Sequence, residues 1–298
     1  MTRRRSLPPT GASRFAVAAA RVSTHDAAWL TRRAVLGGAL GAALTGCAQV
    51  DRVAADESLG RFFTEEGVVG CFALREVAGG SLRLVNAPRA RQRFTPASTF
   101  KIANSLIALE AGVVRDEREI VPYGGGPQLF PQWERDLNLR DAFAASSVPI
   151  YRELARRIGP ARMRAALAAF DYGNAEIGSV VDRFWLDGPL AISAVEQTGF
   201  LARLASGRLP VSERNLRIVH DITTVEQRGD AALHAKSGWL FDTRPQLGWW
   251  VGWIERGAAM HSFALNIDMA GAADAPKRER IGRRLLQHFG VYPATAPA

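Results

Sequence analysis

The chain has 298 residues, 47% hydrophobic and 22% charged. That is enough for one large globular domain or two small ones, and it excludes a disordered chain, a collagen-like repeat and a disulfide-stapled mini-protein. The formal charge is +9, yet residues 1–46 hold seven arginines against one acid, Asp26, so six of the nine net charges sit in a leader. A basic nucleic-acid-binding surface on the body is therefore not indicated.

Within the leader, Arg32-Arg33 precedes a run of 13 apolar or small residues that ends just before Cys47. The run is too short to span a bilayer, which takes about 20 residues, but it fits the apolar region of an export signal. Thr31-Arg32-Arg33 resembles a twin-arginine signal, and Leu44-Thr45-Gly46-Cys47 resembles a lipobox. The expectation is an export signal over residues 1–46 and a body over 47–298 in the periplasm, with lipidation of Cys47 providing a membrane anchor. An ordinary cleaved signal with an incidental cysteine is the alternative.

Cys71 lies in the apolar run 68–74, where a buried small side chain is the simplest reading. With Cys47 lipidated, no internal disulfide is expected. Runs 68–75 and 81–85 flank Ala78-Gly79-Gly80 and read as a hairpin. From Ser98 to Val114, Ile102, Ala103, Leu106, Ile107 and Leu109 recur at helical spacing on more than one side, the pattern of a buried helix. Segment 116–135 is rich in Gly and Pro and reads as loop. A second helix starts at Pro149, breaks at Gly159-Pro160 and resumes to Phe170. Residues 188–206 read as helix again.

Three late runs, Lys236–Phe241, Leu247–Glu255 and Ala259–Met269, read as antiparallel strands, and 277–289 as an amphipathic helix. The faces of Trp249, Trp250 and Trp253 imply a sheet covered on both sides. This order predicts an α/β (α+β) fold: an antiparallel sheet flanked by helices, with an all-helical subdomain inserted at about residues 116–209. The five histidines show none of the paired spacings of metal sites, so no metal is expected.

Only three basic residues are lysine: Lys101, Lys236 and Lys277. Arginine stays charged, so chemistry needing a titratable amine is confined to these positions. Lys101 stands three residues after Ser98, which places amine and hydroxyl on one helix face, the minimum for a base-activated nucleophile. Two further pieces match, Ser146-Ser147-Val148 and Lys236-Ser237-Gly238.

With these motifs, the chain resembles the class D (oxacillinase-type) serine β-lactamases of the penicillin-recognising serine enzymes. The resemblance extends through Trp133-Glu134-Arg135-Asp136-Leu137, Tyr172-Gly173-Asn174, Phe184-Trp185-Leu186-Asp187-Gly188, Gly248-Trp249-Trp250-Val251-Gly252-Trp253 and Pro276-Lys277-Arg278, spanning about residues 60–290 in order. It implies a β-lactamase/transpeptidase-like fold and hydrolysis of small-molecule β-lactams, penicillins and oxacillin-type compounds. Ser98 would attack the lactam carbonyl, and the backbone N–H groups of Ser98 and Trp239 would form the oxyanion hole.

The resemblance also implies that Lys101, as an N6-carboxylysine formed with carbon dioxide or bicarbonate and with no other cofactor, deprotonates Ser98 and later activates water. Phe100, Val148 and Leu186 would wall this group, and the Trp185 indole N–H would hold it. Ser146 would relay a proton beside Lys236, Ser237 and Arg278 would hold the substrate carboxylate, and Trp133 would line the entrance. A neighbouring Arg280 competes with Arg278 for that role. Ser237 stands where the family usually has Thr. Two alternatives share the fold: a β-lactam-binding sensor that keeps its acyl group, and a D-Ala-D-Ala carboxypeptidase.

Overall fold

A short strand, β1 (Val53–Ala55), opens the computed structural model, which describes residues 52–293. The leader and Cys47 lie outside the described residues. After a one-turn helix α1 (Arg61–Thr64) comes the expected hairpin, β2 (Gly70–Glu76) and β3 (Leu82–Val85). Helices α2 (Ala87–Arg91) and α3 (Lys101–Glu110) follow, the latter buried at nearly every position. A two-stranded ribbon, β4 (Ile120–Val121) and β5 (Leu137–Asn138), brackets the Gly- and Pro-rich loop.

Helices α4 (Leu139–Ala144), α5 (Val148–Ile158), α6 (Pro160–Ala169), α7 (Ala194–Ala205) and α8 (Glu213–Thr223) come next. The chain closes with β6 (Thr224–Arg228), β7 (Ala231–Leu240), β8 (Gln246–Arg256), β9 (Ala259–Met269) and helix α9 (Lys277–His288).

Seven strands form one sheet in the order β1-β3-β2-β9-β8-β7-β6, antiparallel throughout except where β1 runs parallel to β3. Successive side chains of β8 point to opposite faces. Trp249 and Trp253 therefore enter the core shared with α3, α5 and α7, while Trp250 and Ile254 enter a second core beneath α1 and α9. The sheet is covered on both sides, as the three tryptophans imply, and the fold is the expected mixed one of a sheet flanked by helices. Cys71 is a buried free thiol on β2. No helix among the described residues is long and apolar enough to cross a membrane.

The structure differs from the sequence reading in five places, one of them β4, which lies inside the 116–135 stretch read as loop and pairs with β5. Helix 98–114 is shorter: Ala97–Phe100 form a tight 3₁₀ turn, and α3 stops before Gly112, whose φ is +65°. Residues 188–206 are not all helix, because Ile192 exchanges both backbone hydrogen bonds with Phe94. There α7 begins only at the reciprocal capping box of Ser193 and Glu196. β7 starts five residues earlier than its expected beginning at Lys236, and α8 and β6 precede it.

Candidate active site

The turn that carries Ser98 is clamped from several sides. Thr99 Oγ1 donates to the Pro96 carbonyl (2.7 Å) and accepts from Gln197 Nε2 (2.9 Å), and the Trp249 indole N–H donates to the Thr95 carbonyl (3.0 Å). Ala97, with φ +51°, sits in the left-handed region that an L-residue rarely adopts. Such a conformation persists only where surrounding contacts over-determine it, and it is characteristic of functional turns. Strand β7 runs directly against this turn at Gly238. A Cβ there would meet the Pro96 carbonyl oxygen and Thr99 Cγ2, both at 3.1 Å, so glycine lets the strand approach the nucleophile.

Lys101 begins α3 behind Ser98 and is fully buried. Its Nζ donates a 2.7 Å hydrogen bond to Ser98 Oγ and lies 5.3 Å from the centre of the Tyr151 ring. No carboxylate pairs with it among the described residues. Burial, assisted by the positive charge of Lys236, pushes the Lys101 amine well below the ordinary lysine range, which favours the neutral form.

Phe100 packs beside this site edge-to-face with Phe184 (5.1 Å between centroids) and Tyr172 (5.6 Å) and at a tilt against Trp185 (5.4 Å). The Trp185 ring is fully buried, yet its indole N–H has no acceptor. A buried donor left unsatisfied is costly, so the N–H marks a place built for an acceptor.

In front of these residues opens a cleft of about 540 Å³, whose wall includes Ser98, Ser146, Ser237, Trp239, Arg278 and Trp133. Val148 and Leu186 line it too, whereas Lys101, Lys236, Phe100 and Trp185 stand behind its surface. Ser146 precedes α5 with φ +53°, a second left-handed residue at the site. Trp133 donates its indole N–H to the Ala145 carbonyl (2.9 Å), which ties the mouth of the cleft to the Ser146 turn. On the opposite lip, Trp239 donates to Gln246 Oε1 (2.9 Å).

Lys236 donates to the Ser237 carbonyl (3.0 Å), and burial together with the nearby Arg278 charge lowers its pKa to about 7. Arg278 reaches the cleft over Gly248, where a Cβ would lie 2.6 Å from the arginine Cδ. Its guanidinium donates to the Gly238 and Ala275 carbonyls, and among the described residues it has no carboxylate partner. Burial lowers its pKa to about 10, so it is charged at neutral pH and free to bind an anion. Arg280, by contrast, faces away and pairs with Glu66.

Lys277 is also accounted for: it donates to the Glu66 carbonyl and pairs with Asp274, each at 2.7 Å. Sequence reasoning missed Tyr151, Gln197 and Ala97, and named Ser146 without its left-handed backbone. It also left unassigned the apolar rim residues Leu129, Phe130 and Phe241.

A strained serine turn backed by a buried amine, set where a helical layer meets an antiparallel sheet, defines a penicillin-recognising acyl-transfer domain. The penicillin-binding protein transpeptidase domain family matches residues 70–287. Beta-lactamase OXA-48 of Klebsiella pneumoniae is 46% identical over 70% of this chain and 78% of its own. Beta-lactamase OXA-5 of Pseudomonas aeruginosa is 40% identical over 77% and 87%. The crystal structure of the class D β-lactamase YbXI from Nostoc superposes with a TM-score of 0.77 at 40% identity, covering 80% of this chain and all of that one. FUS-1 (OXA-85) from Fusobacterium nucleatum subsp. polymorphum does so with the same values. The chain belongs to the class D serine β-lactamases.

Proposed function

We propose that this enzyme hydrolyses penicillins and oxacillin-type β-lactams through an acyl-enzyme on Ser98, with Lys101 carrying a carbamate. The observation that carries this reading is the buried, uncharged-leaning Lys101 amine 2.7 Å from Ser98 Oγ, beside the orphaned Trp185 N–H. A carbamate on Nζ fits these residues: a neutral amine is what carbon dioxide adds to, and the Trp185 donor lacks the acceptor that a carbamate oxygen provides. Phe100, Val148 and Leu186 would wall it and Trp185 would hold it. When present, it supplies a carboxylate-type base next to the nucleophile. No metal takes part in this reading.

In acylation, Ser98 Oγ gives its proton to the Lys101 side chain and bonds to the lactam carbonyl carbon. The Ser98 and Trp239 backbone N–H groups stabilise the developing oxyanion. The carbon–nitrogen bond then breaks, and Ser146 Oγ passes its proton to the departing nitrogen, taking up in its place the proton that the Lys101 side chain accepted from Ser98. Lys236, poised near neutrality, sustains the field along that relay. In deacylation, a water gives up a proton at the Lys101 side, its oxygen bonds to the acyl carbon, and Ser98 Oγ leaves and regains its proton.

Arg278 and Ser237 bind the substrate carboxylate throughout, so Arg278→Ala is expected to raise KM by about 10–100-fold with a smaller fall in kcat. That is the scale of a lost charge-assisted hydrogen bond. Steady-state kinetics on a penicillin checks it, and an unchanged KM would remove Arg278 from the site.

Trp185→Phe tests the carbamate directly, since it keeps the aromatic wall and deletes only the N–H. The variant is expected to lose most activity at ambient carbon dioxide and to recover part of it in excess bicarbonate. Wild-type activity without bicarbonate dependence would contradict the assignment. For localisation, the proposal is export to the periplasm with lipidation of Cys47. Mass spectrometry of the mature N-terminus should find an acylated Cys47, and an unmodified mature start elsewhere would refute the anchor.

A further inference from the structure

Helix α7 starts beside the serine turn, and two bridges join them. Phe94 and Ile192 exchange backbone hydrogen bonds (3.0 and 2.9 Å), one residue before Thr95 on one side and one before the Ser193 cap on the other. Inside α7, Gln197 turns inward, is only 1% accessible, and closes the frame with its bond to Thr99 (2.9 Å). The next residue fastens the helix to the sheet, since the Thr198 carbonyl accepts from Ser262 Oγ on β9 (2.8 Å).

The direction of the Gln197 bond is fixed by its partner. The Thr99 hydroxyl has one proton, and at 2.7 Å it goes to the Pro96 carbonyl, which can only accept. Thr99 Oγ1 is left as an acceptor, so Gln197 must present its amide N–H rather than its carbonyl. The Tyr172 hydroxyl lies 3.5 Å from the same nitrogen, and the Tyr172 ring packs edge-on against Phe100. Gln197 thus bears on both residues that separate Ser98 from Lys101: on Thr99 directly, and on Phe100 through Tyr172.

The Pro96 carbonyl also receives the Thr99 backbone N–H (3.2 Å), so a hydrogen-bonded loop encloses Ala97 and Ser98, the first of them left-handed. Such a loop keeps its own shape but not its place relative to the rest of the molecule. A strained conformation holds only where outside contacts over-determine it, and Gln197 supplies one of them from the helical layer.

We propose that Gln197 is a positioning residue for acylation: by donating to Thr99 it holds the strained turn so that Ser98 Oγ meets both Lys101 and the lactam carbonyl. It touches neither substrate nor the reacting atoms. Arg278, which binds the substrate carboxylate, stands on α9 and does not depend on this bond. Loss of the Gln197 donor should therefore slow bond formation and leave non-covalent binding intact. The proposal rests on Ser98 being the nucleophile, which peptide mapping of the wild-type acyl-enzyme checks separately. An acyl group on another residue would sink both readings, and an acylated Ser98 leaves the Gln197 variants to decide.

The test is stopped-flow acylation by a chromogenic cephalosporin across pH, with thermal unfolding of each variant alongside. Gln197→Met keeps the length of the side chain and removes the donor. Its acylation rate constant should fall by about 10–100-fold, the scale of a small misplacement of reacting groups, with the Kd of the non-covalent complex within about threefold of wild type.

Gln197→Glu separates positioning from packing. Its protonated carboxyl can donate to Thr99 as the amide does, whereas the ionised form can only accept and faces the oxygen lone pairs. Burial raises the pKa of such a carboxyl, and the neighbouring Tyr172 hydroxyl stays protonated because burial pushes it well above the usual tyrosine range. The ratio of variant to wild-type acylation should therefore stand near one at about pH 5 and drop by about tenfold or more by about pH 8. Dividing by the wild-type rate removes the titration of Lys101 and Lys236, which both proteins share. A lowered thermal midpoint with wild-type acylation in Gln197→Met, or a Gln197→Glu ratio that does not change with pH, would overturn the proposal.

Discussion

Ser98→Ala is expected to lower kcat on any β-lactam by roughly 10⁶, the scale on which loss of a serine nucleophile collapses a concerted unit. The rest of the site survives this change. The clamps on the turn run through Thr99, Gln197 and Trp249, not through the Ser98 hydroxyl. Arg278 and Ser237 still line the cleft, so the variant should bind penicillins reversibly and form no covalent adduct. Intact-protein mass spectrometry after incubation with a penicillin checks this. A covalent adduct on the alanine variant would place the nucleophile elsewhere.

Lys101→Ala should have a different signature. Acylation should slow by roughly 10²–10⁴, the usual contribution of a positioned base. Deacylation should slow further, because among the described residues no carboxylate is hydrogen-bonded or ion-paired to Ser98 or Lys101 to take over activation of water: Lys101 lies against Tyr151, and Phe100 packs on Trp185. The acyl-enzyme should therefore accumulate, and single-turnover kinetics would resolve a slow acylation followed by almost no release. Full activity would remove the proposed base. Lys101→Arg should not rescue, since a guanidinium stays protonated and cannot serve as a base.

Much of this site is legible in the sequence because its chemistry forces residue choice. In a chain that uses arginine almost everywhere, two of the three lysines fall on the two buried amines of the site, Lys101 and Lys236. The spacing of Ser98 and Lys101 already places them on one face, and the 2.7 Å contact follows. Arg278 and Arg280 cannot be separated by composition. What separates them is which one crosses Gly248 to the cleft and which one pairs with Glu66.

Other features arise only from tertiary structure. Ala97 and Ser146 adopt left-handed backbones without a glycine to announce them, because neighbouring elements impose the conformation. Strand β6 is mostly exposed and lacks apolar alternation, so its ladder with β7 defines it rather than its own pattern. In α8, Leu216, Val219 and Ile222 do recur at helical spacing on the buried side, but the polar residues between them obscure it.

The same physics separates the leader from the body. The large positive charge belongs mainly to residues 1–46, outside the described structure, whereas most charges on the folded body are paired in surface bridges such as Arg152 and Arg156 with Asp182. The exception that matters is Arg278, whose charge is left facing the cleft.

The most direct test of the central claim is pre-steady-state hydrolysis of a chromogenic cephalosporin, with and without saturating bicarbonate. The account predicts a burst equal to the enzyme concentration followed by sustained turnover, with the sustained rate raised by bicarbonate. A single burst with no turnover at saturating bicarbonate would contradict it.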